Sequence, residues 1–303
     1  MSFFILFNMK NILNYYYNID IVDVIKLEDN YLIFDEYNNY LLYKLNDYIN
    51  INNVLNIIKK INTNDYSNII LNINNKYITK LDDNNYVLLL LKGILNEEIT
   101  IKDIINNTNK YLYLNNKIDI VNLWSKRLDY LEYQVSQLGK NKEELLNTFS
   151  FFLGLGENAI SFIDINNINF NNIRCSLMHY RINNKELNMN YYNILNTIID
   201  YQVRDYSEYI KSKIFNNEDI LKDINLILDN LNNDEIKLFY ARLLFPTIYF
   251  DVVEKILLNE IDESILNKYI NNINNYINSL NDIYLEIKKR ISRDIPSWIK
   301  SHN

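Results

Sequence analysis

Residues 19–46, IDIVDVIKLEDNYLIFDEYNNYLLYKLN, hold the pattern on which the fold reading turns. Three apolar runs, IDIVDVIKLE, NYLIFDEY and NYLLYKLN, are rich in β-branched and aromatic residues and change direction at Asp29-Asn30 and at Asn38-Asn39. Short runs of this kind, parted by tight polar turns, predict three successive strands. The next stretch, INNVLNIIKKI, places Val54, Leu55, Ile57, Ile58 and Ile61 at helical spacing. NIILNINNKYITKL and NYVLLLLKG then return to strand character. The order is β-β-β-α-β-β.

The chain changes character at Gly93. Beyond it IVNLWSKRLDYLEYQVSQL aligns Val121, Trp124, Leu128, Leu131 and Val135 on one stripe. KEELLNTFSFFLGLGENAISFI reads as a long helix loosened by Gly154 and Gly156, and DEIKLFYARLLFPTIYFDVVEKIL as two helices meeting at Pro246. ESILNKYINNINNYINSLNDIYLEIKKRI is a final amphipathic helix. The expectation is an α+β protein with a small β-rich lobe over 1–93 and a large, mainly helical lobe over 94–303. Many α+β domains share such a strand order, but it is the order of the small lobe in the two-lobed, protein-kinase-like fold.

Composition narrows the function. A net charge of −7 leaves no basic excess to engage phosphates, so neither nucleic acid nor an anionic membrane is an expected partner. Asn, Ile, Lys and Tyr dominate while Gly numbers four and Pro two, so Asn is expected to fill turn positions that need positive φ. The single cysteine, Cys175, excludes an intrachain disulfide and reads as a buried thiol in a reducing compartment. MSFFILFNMK lacks a charged start and a small-residue cleavage site, and YVLLLLKGIL is broken by Lys92. Neither reads as a signal peptide or a membrane span, which points to a cytoplasmic protein.

His179 and His302 are the only histidines, so a three-His metal site is excluded. Gly154-Leu-Gly156 follows no strand and is no phosphate loop, and no G-x-S-x-G elbow occurs. The chemistry-bearing stretch runs from His179 to Glu208. Phosphotransferases need an acid in the catalytic loop, an Asn near it, and a later Asp for metal. Here CSLMHYRINNKEL offers His179 but places Arg181 in the acid's slot and Glu186 in that of the Asn. Arg181 cannot accept a proton. Asp200, nineteen residues on, ends an apolar run and reads as a metal ligand or as an acceptor of loop amides. Lys44 on the third strand reads as a phosphate-gripping lysine or as a solvent-facing one, and NVLNIIKKI offers no Glu to pair with it. Asp205 and Glu208 are spaced as a capping box, Arg204 is placed to pair with a carboxylate, and His179 reads as a hydrogen-bonded loop residue or a base. FYARLLFPTIYFD reads as a packing spine, Arg242 standing out within it.

Six stretches, in order, resemble a known family. They are LWSKRLDYLE (123–132), FFLGLGENAISFI (151–163), CSLMHYRI (175–182), IIDYQVRDYSEYIK (198–211), FYARLLFPTIYFDVVE (239–254) and IPSWI (295–299). Together they are similar to the spore coat protein YutH family, relatives of the CotS-type coat proteins with an aminoglycoside-phosphotransferase/choline-kinase-like fold. The resemblance covers roughly residues 120–300. It implies a kinase fold whose His-Gly-Asp loop has degenerated to His179-Tyr180-Arg181, partners among coat or scaffold proteins, and a place in the spore coat of a sporulating organism. The leading expectation is a pseudokinase-like protein that needs no cofactor. The alternatives are a phosphotransferase using ATP and Mg with Asp200 on the metal and His179 or Glu186 supplying the missing function, and a helical interaction protein without kinase ancestry.

Overall fold

The computed structural model describes residues 3–46, 49–61, 63–113 and 118–291; IPSWI and His302 lie outside them. The chain divides into two compact units, Met1–Ile99 with Lys185–Ile198, and Thr100–Asn184 with Ile199–Asn303.

The first unit opens with α1 (Phe3–Tyr17), followed by β1 (Asp23–Leu27), β2 (Asn30–Phe34), β3 (Asn39–Lys44), α2 (Ile51–Lys60), β4 (Asn68–Ile70), β5 (Thr79–Leu81) and β6 (Asn84–Leu90). Its sheet has six strands in the order β1-β2-β3-β6-β4, with β5 also on β6. The stretch NIILNINNKYITKL, expected as one strand, is two. Asn72 accepts hydrogen bonds from the Asn74 and Lys76 amides and donates to Thr79 Oγ1, folding the middle of that stretch into a loop. Both halves then pair antiparallel with β6.

The first hairpin turns one residue earlier than expected. The ladder closes at Leu27↔Asn30, Glu28 takes φ 50°, and Asn30 joins the strand, where its Oδ1 accepts the Lys44 amide. Among the described residues, five of the seven non-glycine positions with positive φ are Asn: 18, 75, 167, 217 and 259. These are places where glycine would be the usual choice, and Asn tolerates them through its short polar side chain. One face of the sheet is buried under α1, where Met9, Leu13 and Tyr17 pack on Val24, Ile33, Tyr40, Leu42 and Leu88.

The second unit begins with α3 (Ile101–Lys110), capped by Thr100 and Asp103, and continues through β7 (Leu112–Tyr113), α4 (Ile120–Leu138), α5 (Glu143–Ile165) and β8 (Cys175–His179). The chain visits the first unit with α6 (Asn188–Tyr191) and returns along β9 (Thr197–Tyr201). It ends in α7 (Val203–Phe215), α8 (Leu221–Asp229), α9 (Asn233–Leu244), α10 (Thr247–Leu257) and α11 (Asn267–Arg290). A small sheet, β7-β8-β9, sits among these helices.

Pro246 separates α9 from α10, and the segment around it is interior: Phe239, Leu243, Phe245, Tyr249 and Phe250 are buried. Trp124 of α4 stacks on Phe245 with ring centroids 4.2 Å apart. α5 runs unbroken through Gly154 and Gly156, so the expected loosening is absent. Gly156 has a packing role instead, since a Cβ there would lie 2.8 Å from Leu128 Cδ2 on α4. No helix of the described residues is long and apolar enough to cross a membrane.

Candidate functional site

Seven of the residues singled out in the sequence, His179, Arg181, Asp200, Arg204, Asp205, Glu208 and Arg242, belong to the second unit, and Lys44 and Glu186 to the first. The organising element of the second-unit group is α7. Asp205, Tyr206, Ser207, Glu208, Tyr209, Ile210 and Lys211 are all buried, so this helix has almost no solvent face over two turns. A buried charge without a partner costs several kcal/mol, so every ionised side chain there has to find one.

The D-x-x-E spacing at Asp205 and Glu208 does not form a capping box. α7 starts at Val203, and its N-cap, Gln202, makes no side-chain cap bond. Asp205 reaches across to the end of β8, where its Oδ1 accepts the His179 amide at 3.0 Å and its Oδ2 lies 2.6 Å from His179 Nδ1. Glu208 instead pairs with Lys211, one turn on, at 3.2 Å. Lys211 Nζ also donates to the Phe245 carbonyl at 2.9 Å and Thr247 Oγ1 at 3.2 Å, tying α7 to the α9–α10 junction. Burial alone would raise the Glu208 carboxyl, but Lys211, Arg181 and Arg204 outweigh it and bring its pKa down to about 2.

Asp200, next to last in β9, has both carboxylate oxygens engaged. Oδ2 accepts from Arg204 Nη1 at 2.6 Å, while Oδ1 accepts from Arg242 Nη2 at 2.8 Å and from the Tyr201 amide at 2.6 Å. Burial would raise its pKa, but Arg242 and Arg204 overcome that and lower it. Arg204 donates its other nitrogens to the carbonyls of His179, at 2.7 Å, and Tyr180, at 2.9 Å. The Tyr180 carbonyl also accepts from Arg181 Nη1 at 2.6 Å.

Arg181 then forks onto Asp251 of α10 through Nε at 2.5 Å and Nη2 at 2.8 Å. Asp251 is shared with Arg127 of α4, at 2.7 Å, and Arg127 also meets Glu254 at 3.1 Å. A continuous chain of hydrogen bonds therefore links Asp200 to Arg181 and on to α4 and α10. Lys211, Asp251, Arg127 and Glu254 were not singled out in the sequence. Glu208–Lys211 could have been found from its i,i+3 spacing, but the others join residues far apart in the chain.

A divalent cation needs free anionic oxygens. At Asp200 two guanidinium groups and an amide occupy that role, so the site as built does not fit a metal. Among the described residues no group of three His, Cys, Asp or Glu side chains is placed to hold one. In the first unit, Lys44 Nζ lies 3.6 Å from Asp29, and the Glu186 carbonyl accepts the Ile99 amide at 2.8 Å.

The model of a family described as spore coat putative kinase YutH matches residues 10–288. An aminoglycoside phosphotransferase from Alicyclobacillus acidocaldarius superposes with a TM-score of 0.66 at 10% identity, covering 95% of this chain and 97% of that one. The AMP-bound complex of a spectinomycin phosphotransferase gives 0.55 at 14% identity, covering 95% and 99%. An amicoumacin kinase in complex with AMP-PNP and Ca2+ gives 0.54 at 12% identity, covering 93% of each chain. The superpositions show a kinase-like fold. No curated protein sequence matches the chain.

Proposed function

The chain belongs to the spore coat putative kinase YutH family, and we propose that within it the protein has lost phosphoryl transfer and serves as a binding or scaffold component of the coat. The observation that carries this reading is the state of Asp200. A metal-binding aspartate needs its oxygens free for the cation, whereas this one has both engaged by Arg204, Arg242 and the Tyr201 amide. Arg181, a permanent cation in the sequence slot expected to hold the loop acid, is itself neutralised by Asp251. The proposed partners are other coat or scaffold proteins, and the proposed setting is cytoplasmic assembly followed by residence in the coat.

A second reading has its own support, because solved neighbours of this fold are complexes with AMP and with AMP-PNP and Ca2+. Under it ATP and Mg2+ are ligands, with Lys44 on the phosphates and Asp200 on the metal. Asp200 would first have to exchange two arginines for the cation. Calorimetric titration of the full chain with ATP, with and without Mg2+, separates the two readings. The expected result is no Mg2+-dependent binding and no nucleotide turnover. Mg2+-dependent binding accompanied by phosphorylation of any acceptor would overturn the proposal.

A further inference from the structure

The ion network that starts at Asp200 ends at Glu254, on the rim of a recess in the second unit. Tyr130, Gln134 and Leu138 of α4 form one wall, and Glu254, Leu257 and Leu258 at the end of α10 form the other, enclosing about 280 Å3. Glu254 is held by Arg127 at 3.1 Å, and next to Leu258 the Asn259 Oδ1 accepts from Lys142 Nζ at 3.1 Å. Tyr130, Leu138 and Leu258 are 52%, 52% and 67% exposed, and Tyr133 on the next turn 63%. In a unit that buries most of its large apolar side chains, this cluster on one face is unusual.

Among the described residues, Glu254 is the only acidic or basic side chain lining the recess. Burial, the largest influence on its carboxyl, raises it; Arg127 opposes this and Asp251 adds to it, so the balance remains upward. Arg127 divides one nitrogen between Asp251 at 2.7 Å and Glu254 at 3.1 Å, and the Glu254 contact is the weaker. The recess therefore presents an incompletely compensated carboxylate at the end of an apolar trough.

We propose that this recess is a docking site for a partner protein that inserts a lysine or arginine flanked by apolar side chains. The aliphatic stem of such a residue would lie along Leu138, Leu257 and Leu258 while its head reached Glu254. The recess is at the small end for a cofactor, since ligand pockets span roughly 300–1,000 Å3, but it suits one or two side chains. The overall charge of −7 favours encounter with a basic partner. The site is separate from Asp200, and the inference stands whether or not nucleotide binds.

Fluorescence anisotropy with a labelled Leu-Lys-Leu-Lys-Leu peptide, and with its Leu-Glu-Leu-Glu-Leu counterpart, tests it on the full chain. The basic peptide should bind and the acidic one should not. Glu254→Gln and Leu258→Ser should each weaken binding about fivefold or more. Leu258→Ser changes an exposed side chain outside the ion network, so it keeps the test decisive if Glu254→Gln disturbs folding. Glu132→Gln removes the same charge from an exposed site off the recess and should leave binding within about twofold. Three results would overturn the proposal: no binding of the basic peptide, equal binding of the acidic one, or equal damage from Glu132→Gln and Glu254→Gln. A dimer that Leu258→Ser dissociates, without peptide binding, would assign the recess to a second copy instead.

Discussion

Asp200 and Lys44 are the two residues to which metal and phosphate roles would fall, and they are held in opposite ways. Asp200 is 5% exposed and receives three donors, two of them guanidinium groups. The Lys44 side chain is 30% exposed and faces one acid, Asp29, itself 76% exposed, across 3.6 Å. In the interior the low dielectric makes each charge depend on a particular partner, so the arrangement is rigid. At the surface water competes for both ions, so Lys44 can leave Asp29 at little cost. The buried aspartate is thus committed to partners within the protein, while the half-buried lysine is held only loosely.

The largest expected effect is at Asp200. Asp200→Ala strands the buried Arg242 and takes the carboxylate from the part-buried Arg204, and should cost about 3–5 kcal/mol in denaturant unfolding. A loss under about 1 kcal/mol would mean that Arg204 and Arg242 find other acceptors and that the cluster is as loose as Lys44.

Acid should expose the same dependence at Glu208. Its pKa of about 2 in the folded chain lies below the unfolded value, so its contribution is complete above that unfolded value and fades as pH falls through the folded one. Stability should therefore drop between about pH 4.3 and pH 2, by on the order of 3 kcal/mol from this group. The Glu208→Gln variant should show a shallower slope over that window, and a slope equal to wild type would remove Glu208 from the explanation.

Arg181→Ala removes a part-exposed fork but leaves Asp251 with Arg127, so about 1–2 kcal/mol is expected from thermal melts. It should not confer phosphoryl transfer, because it supplies no acid. Lys44→Ala should change stability by less than about 1 kcal/mol. A larger loss there would erase the contrast between interior and surface.

The resemblance carried by six stretches and the strand-helix order of the first ninety residues were enough to reach the kinase-like fold. Other features failed to show for definite reasons. The hairpin at Glu28 slipped by one residue because Asn30 is as acceptable in the strand as in the turn. The capping-box spacing of Asp205 and Glu208 was real, but burial of α7 on nearly all sides gave Asp205 to the distant His179 and Glu208 to Lys211 one turn on, rather than to a local cap. A loosened α5 was expected from two glycines, yet close approach to Leu128 is what Gly156 serves.

Periodicity, turn residues and the break at Pro246 are local, so the order and type of most elements could be read along the chain. That Arg181 is a poor substitute for an acid could be read the same way, since it follows from the guanidinium alone. Which carboxylate answers which cation could be read only for near neighbours such as Glu208–Lys211 and Asp200–Arg204. Arg181 and Asp251 stand 70 residues apart and Asp200 and Arg242 stand 42 apart, and no spacing rule reaches so far. Those pairings arise only when folding brings distant segments together, almost wholly out of water for Asp200 and Arg242 and partly so for Arg181 and Asp251, and leaves each charge to the nearest opposite one.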